Sequence, residues 1–171
     1  GFSVPPKSVK VISIAELGNR DEPIIAASVT TRSGRLVVGR AQHFTGAGRL
    51  GYDVSLAAPA LRDQWWFADG ERGEGITATF SIYNPTDNDV SVTPFFLGLP
   101  LEFDGGGFAP IEVPARQVVV FAPFEGADDA ADATSDSGFF VTRIPNGRHA
   151  IVFSTLSDPS VVVERVLTRP F

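Results

Sequence analysis

Three neighbouring aromatic residues, Trp65, Trp66 and Phe67, form the densest candidate for ligand contact in this sequence. Adjacent tryptophans can stack on sugar rings or insert into a membrane surface, whereas in a layered β protein one of them would fill the end of the core. Consecutive strand residues face opposite sides, so Trp65 and Trp66 cannot both point inward in a regular strand. We expect one of them in the core and the other half-exposed, as a candidate ligand contact.

A second candidate is the acidic segment from Glu102 to Asp136, which holds eight carboxylates and one base, Arg116. Ca²⁺ takes about six to eight oxygen ligands, so such a segment could collect this ion. The last four carboxylates of the segment are Asp128, Asp129, Asp132 and Asp136. Their spacing matches no calcium-loop pattern, so we interpret 125–138 as a solvated acidic loop. No cofactor is expected, with Ca²⁺ as the alternative.

Catalytic chemistry has few candidates, because the chain has no Cys and only two His residues, His43 and His149. Neither a G-x-S-x-G elbow nor an H-E-x-x-H helix is present. Residues 46–51 match the dinucleotide pattern G-x-G-x-x-G, but the β-like residues 52–55 and then Pro59 follow where a helix is required. We expect a flexible loop there and no enzymatic activity. A hydrolase would need two carboxylates facing each other in a cleft.

Two arginines, Arg40 and Arg165, end apolar segments that have the character of strands. A guanidinium left unpaired in a core would cost several kcal/mol, so each must be exposed or bonded to a carboxylate or to carbonyls. Glu164 precedes Arg165 but lies on the opposite face of a strand, which makes it a poor partner for that arginine. We expect both arginines to be structural, each tying a loop to a strand.

The dominant hydrophobic period is two, which predicts an all-β protein. Residues 76–82 alternate strictly, a turn cluster containing Asn84 and Pro85 follows, and 90–93 resume the alternation, so we predict a hairpin. Further strands are predicted at 9–14, 25–31, 36–41, 111–113, 118–121, 139–144, 150–156 and 161–167. The segment 118–121 is continuously apolar, as in a strand buried on both faces, and 55–64 could form a helical turn or two. About ten short strands predict an antiparallel β-sandwich, immunoglobulin-like.

An internal similarity bears on domain organisation. Sliding the chain by 125 residues aligns 25–40 with 150–165, with four identities in sixteen positions and a shared plan of strand, tight turn and strand ending in Arg. This indicates that residues 1–60 are the tail of a preceding unit or extra strands packed on the main domain. The main β-sandwich unit is then predicted to span 61–171.

A set of ordered motifs supports this division. The string begins with Trp65, continues through Ala68-Asp69-Gly70 and Asn84-Pro85, and closes with Val163-Glu164-Arg165. It resembles an actinobacterial family of secreted and membrane-anchored proteins, without an established activity, whose units carry W-x-F-A-x-G, N-P and V-x-E-R. The resemblance covers roughly 25–171 and implies an extracytoplasmic β-sandwich repeat in a cell-envelope protein. Arg40 follows Gly39 rather than Glu, so the first closing strand departs from the pattern.

Composition limits the partners that we expect. Residues 1–60 carry seven Lys and Arg against four Asp and Glu, and residues 61–171 carry seven against sixteen, for a net charge of −6. The acidic balance argues against nucleic acid. No apolar run is long enough for a spanning helix, and the absence of an initial Met leads us to expect a mature or excised piece anchored, if at all, elsewhere.

The sequence thus predicts a non-catalytic, extracellular or cell-surface module that serves as a structural spacer or as an adhesion surface. The expected partners are other envelope proteins or neighbouring repeat units, and cell-wall polysaccharide is a further candidate. The alternative is a carbohydrate- or calcium-binding module that uses Trp65 or Trp66 and the acidic loop 125–138.

Overall fold

A computed structural model describes residues 1–16, 24–46, 49–98, 109–124, 144–156 and 158–169. These residues form an all-β, antiparallel protein with one 3₁₀ turn at Ile14–Glu16. The strands are β1 (Gly39–Gly46), β2 (Arg49–Leu56), β3 (Gln64–Arg72), β4 (Thr77–Tyr83), β5 (Val90–Leu97), β6 (Ile111–Val113), β7 (Val118–Phe121), β8 (Gly147–Ser154) and β9 (Val162–Thr168). Nine strands in the described part of the chain, against about ten expected, confirm the predicted fold class.

Two sheets make the sandwich. One has the strand order β3-β8-β5-β6 and the other has the order β7-β4-β9, with every pair antiparallel. Strand β4 shows why the sequence folds this way, because its residues alternate without exception between buried and half-buried positions. The buried side chains of both sheets form one core, made of Ala78, Phe80, Ile82, Val92, Phe96, Val113, Ile144, Ile151, Phe153, Val161 and Val163.

The strand pairing shares part of the immunoglobulin arrangement. With β3 counted as the first strand, the second strand pairs with the fifth and the third with the sixth, as in an immunoglobulin domain. The first strand, however, pairs with the sixth, and the last strand pairs with the second. The terminal strands therefore lie in the opposite sheets from those of an immunoglobulin domain, and the immunoglobulin-like description stays a prediction.

The predicted hairpin of residues 76–82 and 90–93 is wrong, although both of its strands are present. Strands β4 and β5 lie in different sheets, so the turn cluster after Tyr83 is an arch that carries the chain from one layer to the other. Strands β8 and β9 likewise lie in different sheets. Arch and hairpin share the same sequence signature, because both join alternating strands through turn residues, and facing sheets are only about 10 Å apart. Residues 139–143, predicted as the strand before Asn146-Gly147, lie outside the described residues.

Other predictions are wrong in the N-terminal part and at a sheet edge. Residues 9–13 and 25–31 are not strands, because no described segment pairs with them and Val9 and Val11 stay more than four-fifths exposed. Residues 57–63 contain no helical turn. The segment 118–121 is a strand, β7, but an edge strand whose outward residue Val120 is 42% exposed.

The first two strands form a separate two-stranded sheet. Strand β1 pairs with β2 from Gly39↔Leu56 to Gly46↔Arg49, so the predicted 36–41 strand begins only at Gly39. In the segment that resembles a dinucleotide fingerprint, Gly46 lies inside β1 and Gly51 inside β2, so these residues are not the predicted flexible loop. All seven sandwich strands lie between Gln64 and Thr168, within the predicted unit 61–171.

Candidate binding surface

Trp65 and Trp66 lie on opposite faces of β3, as the alternation of a strand requires. The Trp65 ring packs against the core, and its Nε1 donates a hydrogen bond to the carbonyl of Val161 at 3.0 Å. Trp66 points away from the sandwich and is 64% exposed. An exposed tryptophan marks a contact surface where apolar neighbours make it part of a contiguous patch, so Trp66 is the first residue of a candidate surface to be compared with its neighbours.

The neighbours of Trp66 extend this surface across the sheet. Trp66 is paired with Val152 of β8, and Val152 is paired in turn with Phe95 of β5, so the three residues form one row on the outer face. The next outward residue of β5, Leu97, is 41% exposed, and Phe95 is 37% exposed. We call Trp66, Phe95, Leu97 and the buried Val152 between them the platform.

A polar row borders the platform. Gln64, Ser154 and Thr93 are register partners across β3, β8 and β5, directly beside the row that contains Trp66. The Trp66 indole donates a hydrogen bond to the Gln64 side-chain oxygen at 3.2 Å, which holds the ring next to this row. An aromatic ring beside amide and hydroxyl groups can bury an apolar face and exchange hydrogen bonds at its rim.

Gly70 of β3, the glycine of the W-x-F-A-x-G motif, lies where the backbone packs closely against a neighbouring strand. Strand β3 contains a register irregularity between Phe67 and Gly70, and Gly70 is paired with His149. A Cβ atom at Gly70 would lie 2.8 Å from His149 Nε2 and 3.0 Å from its carbonyl oxygen, closer than side chains allow. Only glycine fits there without a shift, so the W-x-F-A-x-G motif describes a strand that presses against β8.

Arg165 joins the edges of the two sheets. It lies on β9 and donates a hydrogen bond to the carbonyl of Asp69 on β3, while its guanidinium carbon lies 5.5 Å from the centroid of the Phe67 ring. The Trp65 bond to Val161 crosses the same edge. These contacts connect β3 to β9, so Arg165 bridges the edge strands of the two sheets.

Arg40 binds two carboxylates. It donates two hydrogen bonds to Glu164, one of them 2.6 Å long, and one to Asp53 at 3.2 Å. Burial opposes the charge of Arg40, yet the hydrogen bonds and negative charges of Glu164 and Asp53 raise its pKa above the ordinary value. The residue thus attaches the β1–β2 hairpin to the outer face of the three-stranded sheet.

The N-P motif holds the arch between the sheets. Asn84 is fully buried, and its amide donates to the carbonyls of Asn88, Val113 and Pro114 at 2.7, 3.0 and 3.3 Å. Its side-chain oxygen accepts hydrogen bonds from the backbone and the hydroxyl of Thr86. Asn84 therefore satisfies the backbone of two loops, and the half-buried Pro85 follows it in the turn.

The two histidines occupy separate environments. His43 lies in the hairpin, with its ring 4.8 Å from the ring of Tyr52, and His149 lies in β8 against the rings of Phe96 and Phe124. Burial lowers the pKa of His149, and the charge of Arg165 lowers it further, against opposing contributions from the backbone at Gly147 and from Glu71. His149 is therefore a neutral packing residue at neutral pH.

The predicted metal ligands Asp128, Asp129, Asp132 and Asp136 lie outside the described residues. Among the residues that are described, no three His, Cys, Asp or Glu side chains come together as a metal ion would require. None of the helical structure in the same residues is long and apolar enough to cross a bilayer.

Comparisons with known proteins add little to this geometry. No known family model matches the chain, and no curated protein matches its sequence. Among solved structures, the chain is similar to the Anabaena sensory rhodopsin transducer, with 22% identity and a TM-score of 0.42 over 64% of this chain and 84% of that one.

Sequence reasoning identified Trp66 but missed the rest of the platform. Phe95 and Leu97 were visible as alternate residues of an apolar strand, but the side on which they lie depends on register with β8. The pairing of β5 with β8 joins residues more than fifty positions apart, and no local pattern encodes it. The hairpin residues Tyr52, Val54 and Leu56 were also missed, because the face that the hairpin exposes depends on the contact of Arg40 with Glu164, 124 positions away.

Proposed function

We propose that this chain is a non-catalytic, extracytoplasmic β-sandwich module of a bacterial cell-envelope protein, located outside the cell or on its surface. In this role it serves as a structural spacer or as an interaction and adhesion surface, and the platform is the surface. The observation that carries the proposal is Trp66, 64% exposed in one register row with Phe95 on an outer sheet face.

The platform has the composition of a protein-binding site. Tryptophan is enriched among the residues that dominate binding energies, and such residues lie among apolar neighbours that exclude water. Trp66 and Phe95 flank Val152 in one register row, so the row is apolar throughout. An apolar row of this kind suits an envelope protein or a neighbouring unit of the same kind as partner.

The contacts of the polar side chains support the proposal that the chain is not an enzyme. The buried Asn84 is fully engaged with backbone groups, and His149 is held neutral among aromatic rings away from His43. General acid–base catalysis needs a titrating group within hydrogen-bond reach of a substrate, and neither histidine offers an exposed pair with a carboxylate in the described residues.

The test is binding of the purified protein to isolated actinobacterial envelope proteins, measured by biolayer interferometry. We expect Trp66→Ala to weaken binding by about tenfold or more, because truncation of a central tryptophan typically removes more than 1.4 kcal/mol. Val166→Ala, on the outer face of the other sheet, is the matched control. Equal affinity of Trp66→Ala and the wild type would contradict the assignment of the platform. No binding at high micromolar concentration would leave the spacer role alone.

The second candidate is a carbohydrate-binding module, and the exposed Gln64 and the half-buried Thr93 beside Trp66 favour it. A sugar ring could stack on the indole while its hydroxyls bind these two side chains. Titration with soluble cell-wall polysaccharide should shift the tryptophan emission, and the shift should vanish in Trp66→Ala. The calcium version rests on the acidic loop 125–138, and a thermal melt that does not change with Ca²⁺ would rule it out.

A further inference from the structure

The β1–β2 hairpin presents its apolar face to solvent. Its register places Arg40 opposite Ser55 and Asp53 opposite Gln42, and these residues form the face that carries the contact with Glu164. The other face carries Ala41, His43, Tyr52, Val54 and Leu56. An antiparallel sheet with one solvated face ordinarily turns its polar side to water, so this hairpin has the reverse orientation.

The exposed fractions show that nothing described in the same chain covers this face. Tyr52 is 61% exposed, Val54 is 65% exposed and Leu56 is 77% exposed. In the described part of the chain, β1 and β2 pair only with each other, so both edges of the hairpin are also open. A two-stranded sheet of this kind is marginally stable by itself in water. We call Tyr52, Val54 and Leu56 the hairpin face.

The hairpin face and the platform lie on opposite sides of the molecule. Glu164, which holds the hairpin through Arg40, is paired with Ser81 on the outer face of the three-stranded sheet. The platform lies on the outer face of the four-stranded sheet. A contact between the hairpin face of one copy and the platform of another is therefore heterologous, and it leaves one of each surface open for a further copy.

Charge favours this head-to-tail contact over a contact between two hairpins. Residues 1–60 carry seven basic and four acidic side chains, whereas residues 61–171 carry seven basic and sixteen acidic ones. A positive N-terminal region approaching the negative body of another copy is attracted, and two N-terminal regions repel each other. We propose that the hairpin face of one copy docks on the platform of a second copy, so that the sandwiches associate head to tail.

This inference rests on the proposed function, because it names the partner of the platform. Two strands of eight residues cover roughly 27 by 10 Å, which is small for a stable protein–protein contact. We therefore expect weak, reversible association that strengthens with protein concentration and weakens with salt.

The test is sedimentation velocity of the full chain over a range of concentrations. We expect Val54→Asp and Trp66→Ser each to lower the association constant by about tenfold or more, because each removes one side of the contact. Val11→Asp makes the same change at a residue that is 87% exposed and outside the hairpin, and it should leave the association unchanged. Circular dichroism of each variant shows whether the fold is kept.

Mixing the two variants sharpens the test. Val54→Asp keeps an intact platform and Trp66→Ser keeps an intact hairpin face, so an equimolar mixture should form a dimer that neither variant forms alone. A wild type that stays monomeric at every concentration would overturn the inference, and so would a mixture that stays monomeric. Binding of envelope proteins that still depends on Trp66 in a monomeric wild type would overturn this inference while leaving the proposed function intact.

Discussion

The sandwich and the β1–β2 hairpin follow the same alternating pattern with opposite results. In the sandwich, the apolar residues of the core point toward the facing sheet, and Ile82, Ile151 and Phe153 among them are at most 1% exposed. In the hairpin, β2 alternates in the same way, but its apolar residues Tyr52, Val54 and Leu56 face water, whereas Asp53 lies on the face that contacts the sandwich. Alternation thus determines that a strand has two different faces, while the facing layer determines which of them is buried.

The largest expected difference between the two regions is in stability. Phe153→Ala should lower the free energy of unfolding by about 3–5 kcal/mol, because it opens a cavity among the rings of Phe67, Phe80 and Phe121. Tyr52→Ala in the hairpin should change it by less than about 0.5 kcal/mol. Urea unfolding of both variants checks this, and a similar loss in both would remove the distinction between the regions.

The arch residue Asn84 gives the next largest effect. Asn84→Ala should lower the free energy of unfolding by about 2–4 kcal/mol, because it removes the buried hydrogen bond to the carbonyl of Val113 and the bonds of the Asn84 side chain to Asn88 and Thr86. Asn88→Ala is the matched control, since the side chain at this position is exposed. Denaturant unfolding gives the loss of stability of both variants. A loss for Asn84→Ala no greater than that for Asn88→Ala would mean that the arch does not depend on the Asn84 amide.

The sequence predicted the fold class and most sandwich strands, because strict alternation in a segment such as 76–82 has one physical explanation. It did not predict which strands pair. The turn after Tyr83 contains the same residue types in an arch as in a hairpin, so the local sequence could not place β4 and β5 in different sheets. Pairing of this kind depends on contacts between distant segments, such as β3 with β8.

The candidate surface was also predictable only in part, because some of its features follow from local geometry and others depend on contacts between distant segments. The opposition of Trp65 and Trp66 follows from local geometry alone, and the structure places Trp65 against the core and Trp66 outside. The environment of each arginine needed the fold, because Arg40 reaches Glu164 across 124 positions of sequence and Arg165 reaches Asp69 across 96. Burial of His149 likewise follows from the approach of Gly70 and could not be seen in the sequence.

Acid should weaken the sandwich through His149. Its pKa is lowered in the folded protein from an ordinary value of 6.5, so the unfolded chain binds a proton more readily. The contribution of His149 is therefore fully present above pH 6.5 and is lost as the pH falls below that value. His149→Leu should flatten the pH dependence of the free energy of unfolding by a fraction of one proton, as measured by urea unfolding at several pH values.

The smallest expected effect concerns the attachment of the hairpin. Glu164→Gln should change global stability by no more than about 1 kcal/mol, because the Arg40–Glu164 pair is about two-fifths exposed and solvent screens it. The same change should free the hairpin, so limited proteolysis between residues 46 and 49 should become faster. Glu112→Gln, which removes an exposed charge from β6, should do neither.

Amide hydrogen exchange tests the contrast between the two regions most directly. In dilute protein, we expect the amides of β4, β5 and β8 to exchange only through global unfolding, and those of β1 and β2 to exchange by local opening at rates at least about a hundredfold faster. Raising the protein concentration should slow exchange in β1 and β2 of the wild type but not of Trp66→Ser. Protection of the hairpin equal to that of β8 in dilute protein would show that its apolar face is already covered, and would contradict the account.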